Sequence, residues 1–157
     1  MARPKSWEVD DELWAVIEPL LPKIERRARH PGRKRHPDRL VFQGILFVLH
    51  TGVAWEHLPQ EPGFGSGMTC WRRLAEWTEA AVWPQLHAVL LAELRSVDAL
   101  NFFRTAVDGS HIRAFAHLHW FRRRRIYWEI RDDIHEAFLT LGCAVLCWRR
   151  LNSAVVR

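Results

Sequence analysis

The sequence predicts a mainly α-helical fold, with one short β hairpin interposed before a long C-terminal helix. Three observations carry that prediction. Apolar residues recur at three- and four-residue spacing in five segments: 9–21, 38–51, 69–78, 80–96 and 131–151. Proline, glycine and runs of charge punctuate these segments. Past residue 100 the pattern changes to a short run of strand-like apolar content that leads into an Asp-Gly step.

Taken in order, residues 9–21 (VDDELWAVIEPLL) form a first helix with an acidic start at Asp10 and Asp11. Its apolar face is Leu13, Trp14, Ile17, Leu20 and Leu21, and Pro22 ends it. Residues 23–39 hold eight Lys/Arg against two acids, and Pro31, Gly32 and Pro37 break any periodicity, so this segment is a basic loop. Residues 38–51 are a strongly apolar second helix, with Asp38 as its cap and Gly52 as its C-terminal stop. A turn with a short helical element and a Gly/Pro loop follow, over 52–67. Ser66 or Thr69 caps a third helix, 69–78, which has an apolar face and a face carrying Arg72 and Arg73. Residues 80–96 are a fourth helix, with Pro84 in the first turn, where proline is tolerated.

A loop followed by a helix bearing exposed arginines fits a helix-turn-helix-like module, with 69–78 as its recognition helix. A plain helical bundle with surface arginines fits as well. Residues 101–114 read as a hairpin or strand pair. The final segment, 131–151, is a long helix with Asp132 and Asp133 at its start and Arg149 and Arg150 at its end, both favourable to the helix dipole. An apolar helix of this length must bury against the N-terminal helices or a partner chain. The expected division is a helical domain over 1–98 and a second part over 99–157.

Composition bounds the function classes. With 157 residues, 48% of them hydrophobic, the chain can build a core, and its nine tryptophans are expected to fill it. The formal charge of +5 points to phosphate-bearing partners, provided the cations are clustered. Cys70, Cys143 and Cys147 form no Cys-x-x-Cys pair and are expected to be packed free thiols of a reducing cytoplasm. The polar N-terminus shows no signal peptide. The longest apolar stretch, Ala137–Trp148, is interrupted by Thr140 and Gly142 and is too short for a bilayer, so no membrane partner is expected.

An acid at the end of a strand and followed by glycine, as in Val107-Asp108-Gly109-Ser110, is one way to hold a divalent metal. Phosphoryl transfer with two metal ions needs several converging carboxylates, however, and one Asp alone is more often a turn residue. His111, His117 and His119 have no acid or cysteine at a ligand spacing. Asp132, Asp133, His135 and Glu136 are explained by helix capping. The Arg122–Arg125 run is either a solvated face or a phosphate track.

Many spaced motifs match in order those of one family. They include Pro19-Leu20-Leu21-Pro22, Gly32-Arg33, Gly44-Ile45-Leu46-Phe47-Val48-Leu49, Thr51-Gly52, Trp55, Leu58-Pro59, Phe64-Gly65, Thr69, Trp71-Arg72-Arg73-Leu74, Trp77 and Val82-Trp83. Val107-Asp108-Gly109-Ser110-His111-Ile112-Arg113-Ala114 follows. Over residues 7 to about 114 the chain resembles DDE transposases of bacterial insertion sequences, in the group related to insertion sequence five. From Phe115 to Arg123 it is similar to a different part, near that family's C-terminus, and 131–151 is similar to the family's closing helix. The resemblance therefore implies an internal deletion between Ala114 and Phe115. Only the first of three catalytic acids maps, onto Asp108, and Ile112 stands where the Glu belongs.

The resemblance implies an RNase H-like catalytic domain of which 99–157 is a remnant. It makes Asp108 the catalytic and metal-binding residue and Mg²⁺ the cofactor. Arg33, Lys34, Arg35, Arg72 and Arg73 become the DNA-binding residues. The implied partner is DNA, namely insertion-sequence terminal repeats, with self-association as a further expectation and a cytoplasmic location. The implied function is DNA transposition, in a chain left inactive by the missing acids. The other reading is a non-catalytic DNA-binding regulator or inhibitor of an intact transposase.

Overall fold

The computed structural model describes residues 5–24, 29, 34–97 and 131–155. All regular structure among these residues is helical. The hairpin expected over 101–114, and Asp108 with it, lies outside the described residues.

Helix α1 spans Asp11–Ile17, shorter than the 9–21 expected, and its last turn tightens into a 3₁₀ turn at Glu18–Leu20. Pro19 explains this, because it has no N–H to continue the α ladder and its ring crowds the preceding turn. Asp10 is the N-cap and accepts from the Leu13 N–H at 2.7 Å. Helix α2 spans Asp38–Thr51 as predicted, but its N-cap is Pro37, with no side-chain bond. Asp38 is turned toward Arg73 and does not cap. Gly52 closes α2 at φ 74°, a left-handed position that glycine adopts without strain.

Residues 52–66 join α2 to α3 and contain a 3₁₀ turn at Trp55–His57. This connection is far longer than the three- or four-residue turn of a helix-turn-helix. Helix α3 spans Gly67–Glu79 and starts earlier than expected because Ser66, not Thr69, is the cap, accepting from the Thr69 N–H at 3.2 Å. The start of α3 lies so close to the 3₁₀ turn that a Cβ at Gly67 would meet the Trp55 carbonyl oxygen at 1.7 Å. Helix α4, Val82–Val97, follows after a corner in which Ala81 takes φ 55°. Helix α5 spans Asp132–Val155.

One apolar cluster joins these elements, from Val9 to Leu151. At its centre Phe42, Trp77 and Trp83 meet, with Trp77 edge-on to Trp83 at 5.9 Å between centroids. The Trp83 indole donates to the Thr78 hydroxyl at 2.9 Å. Helix α5 lies against α4 and also touches α3. It buries Ile134, Phe138, Leu141, Val145 and Leu151, spaced by three, four or six, while Phe138 stacks on Trp55 at 6.0 Å. Of the two burial options open to this helix, the N-terminal helices supply the cover.

Because α5 continues to Val155, Arg149 is not at its end, and the dipole role expected for it does not hold. Arg149 instead donates to the Ser6 carbonyl at 3.4 Å and lies 3.3 Å from His50 Nε2. Cys70 is buried, with its thiol pushed up to about 12 by desolvation, while Cys143 and Cys147 are half-buried and form no disulfide.

Candidate nucleic-acid interface

The predicted DNA-binding residues divide into three groups. Arg33, like Asp108, lies outside the described residues. Lys34 and Arg72 are exposed. Arg35 and Arg73 are held in a network of two arginines and two carboxylates.

Arg73 was expected on the exposed face of α3, but its side chain is only 6% exposed. It sits over the Trp77 ring at 5.8 Å and pairs with Asp38 at the start of α2. Burial lowers its pKa, and the Asp38 carboxylate opposes that shift. The helical spacing explains the placement. Arg73 falls between Cys70, Leu74 and Trp77, all fully buried, so the α3 backbone aims it at α2 and not at solvent.

Arg35 makes a bidentate pair with Glu76, at 2.5 and 3.2 Å, and its Nε lies 3.7 Å from Asp38. Glu76 in turn lies 4.0 Å from Arg73 Nε. The next residue, His36, is 2.6 Å from the Gly63 carbonyl and packs against Gly65. Residues 35 and 36 thus fasten the end of the basic loop to α3 and to the loop that leads into it.

Arg72 is one turn before Glu76, on the same side of α3, and Met68 is one turn before that, 56% exposed. Lys34 adjoins Arg35, which is paired with Glu76, so the exposed cations Lys34 and Arg72 flank one paired site on α3. Neither Lys34 nor Arg72 has an ion-pair partner among the described residues. Exposed cations of this kind suit phosphate oxygens.

Asp38 and Glu76 were missed as functional positions by the sequence reading. A signal existed: Arg35-x-x-Asp38 and Arg73-x-x-Glu76 are both i,i+3 pairs of opposite charge. The cross-linking between them, over more than thirty residues of chain, had no local sign.

Asp108, the one expected metal ligand, lies outside the described residues. Among them no group of three or more His, Cys, Asp or Glu side chains gathers. Two of the acids at the helix starts pair with arginines. Asp11 pairs with Arg39 at 2.7 Å, and Asp133 binds Arg131 at 2.5 and 3.0 Å. The Arg131 hydrogen bonds hold the Asp133 carboxyl below its usual range. No helix of the described residues is long and apolar enough to cross a membrane.

Comparison with known proteins gives the family. Residues 9–87 match the family described as "Putative transposase of IS4/5 family (DUF4096)". The chain is 55% identical over 115 residues to "Insertion element IS402 uncharacterized 16.2 kDa protein" of Burkholderia cepacia, covering 73% of this chain and 76% of that protein. It is 49% identical over 55 residues to "Putative transposase for insertion sequence element IS402" of the same organism, covering 35% of this chain and 24% of that protein. No solved structure matches. The match spans helices α1 to α3 and the start of α4, the elements that build the basic surface, and the chain belongs to the IS4/5 family of insertion-sequence transposases.

Proposed function

We propose that this chain binds the terminal repeats of an insertion sequence and does not itself cut or join strands. The observation that supports binding most directly is the pair of exposed cations, Lys34 and Arg72, that flank the Arg35–Glu76 pair. In this reading α3 is the recognition helix of a helix-turn-helix with an extended turn. Arg72 reaches phosphates or base edges, and Lys34 holds the backbone alongside it. Arg35 and Arg73 contribute by fixing that surface. In this reading the protein supplies position and charge.

The lack of catalysis rests on the acids. Asp108 is the one catalytic acid with a family counterpart, Ile112 takes the place of the glutamate, and the segment that holds the second aspartate has no equivalent here. Cleavage and joining assays with Mg²⁺ or Mn²⁺ on terminal-repeat DNA are expected to show no product. Product that disappears in Asp108→Ala contradicts this. A chain that binds element ends without cutting them competes with an intact relative, by occupying the site or by mixed assembly. Addition of this protein to an active transposase is then expected to lower the transposition yield. Binding to terminal repeats no tighter than to random duplex removes the end-recognition half of the proposal.

A further inference from the structure

The geometry points to Arg35 and Glu76 as a positioning latch for DNA binding, with Arg35 making no phosphate contact of its own. This inference rests on the DNA-binding reading above and assigns a role inside it. Both nitrogens of the Arg35 fork face the two Glu76 oxygens, at 2.5 and 3.2 Å. The third nitrogen faces Asp38 at 3.7 Å. Glu76 thus occupies the end-on edge of the Arg35 guanidinium and Asp38 lies near its Nε, so a phosphate would have to compete with two carboxylates for it.

The network is also charge-balanced. Arg35 and Arg73 are matched by Asp38 and Glu76, so it adds no net positive potential to the surface. What it does add is location. Glu76 is one turn from Arg72, and Arg35 is next to Lys34 in the chain. The Arg35–Glu76 pair therefore sets the separation between the two free cations. His36 on the Gly63 carbonyl is the second fastening, and it fixes the direction in which the loop leaves α3. The partly exposed pair, 35% and 30%, is accessible enough for a phosphate to compete for Arg35, which is the rival role.

Salt dependence separates a latch from a contact. Each cation that neutralises a phosphate contributes a slope of about 0.9 in log K against log salt. Affinity of the full chain for a terminal-repeat duplex is measured over a salt series for wild type, Arg35→Met and Glu76→Gln, each checked for an intact thermal melt. Trypsin cleavage after Lys34 and Arg35 is followed in wild type and Glu76→Gln without DNA.

For a latch, both substitutions weaken binding by roughly five- to tenfold, leave the slope at the wild-type value, and Glu76→Gln speeds cleavage of the loop. A slope lower by about one unit in Arg35→Met overturns the latch and makes Arg35 a phosphate contact. So does tighter binding with a steeper slope in Glu76→Gln, since that variant frees Arg35. Equal cleavage rates in wild type and Glu76→Gln also overturn it, whatever the DNA result. Wild type that fails to bind duplex at low salt, with cleavage still accelerated in Glu76→Gln, overturns the DNA-binding reading and the latch's role in it.

Discussion

At the scale of single residues, burial decides what each charged group does. Arg73 and Arg72 are neighbours in sequence, yet one is buried against Trp77 and the other is exposed. Removing a guanidinium whose partner stays behind leaves that carboxylate short of its best hydrogen bond. Arg73→Ala is expected to cost about 2–4 kcal/mol in urea unfolding, and Arg73→Lys most of that, since an ammonium spans fewer acceptors. A loss within experimental error contradicts the structural role. His50 is a second case. Burial first, and then the positive charge of Arg149, hold it neutral, lowering its pKa from 6.5 to about 4. The unfolded chain takes up this proton near 6.5 and the folded one near 4, so the stabilisation is whole above 6.5 and lost as pH falls through that window. The melting temperature of wild type is expected to fall between pH 6.5 and 4, and the fall to be shallower in His50→Gln. Parallel curves for the two proteins contradict the assignment.

At the scale of elements, helix positions were legible in the sequence and helix ends were less so. The apolar period alone places α2 on its observed residues, because a strong stripe bounded by Pro37 and Gly52 leaves little freedom. The misses have physical causes. Pro19 converts the last turn of α1 into a 3₁₀ turn, and Asp38 prefers a buried arginine to its own helix N-terminus. Exposed arginines on α3 were half right, since a paired Arg-Arg step cannot place both side chains on one narrow polar face. The contact of Gly67 with the 3₁₀ turn is invisible from sequence, because it depends on how residues 52–66 return to α2. Gly67→Ala forces the Trp55 carbonyl away and is expected to destabilise by about 3 kcal/mol or more, read by thermal or urea unfolding. An unchanged midpoint contradicts the close approach.

At the scale of the whole molecule, α5 is part of the same core as the helices that carry the basic surface. Its five large buried apolar side chains, Ile134, Phe138, Leu141, Val145 and Leu151, correspond to on the order of 10 kcal/mol of burial. That is comparable with the whole net stability of a domain this size, about 5–15 kcal/mol. A chain ending at residue 98 is therefore expected to lose its cooperative melt and to aggregate or bind a hydrophobic dye. A sharp, unchanged transition contradicts this. The sequence showed that α5 needed cover but not which surface supplied it, because that pairing links positions far apart in the chain. The basic surface was legible as a charge cluster, while its division into exposed and carboxylate-paired cations required the fold.

The central claim is that Lys34 and Arg72 form a phosphate-binding surface on a transposase-family scaffold. Fluorescence anisotropy of a labelled terminal-repeat duplex, titrated with protein across a salt series, tests it most directly. Wild-type affinity is expected to fall steeply with salt, and Lys34→Gln with Arg72→Gln to lower the slope by about two units without moving the thermal melt. A salt-insensitive complex, or a double variant with the wild-type slope, contradicts the account.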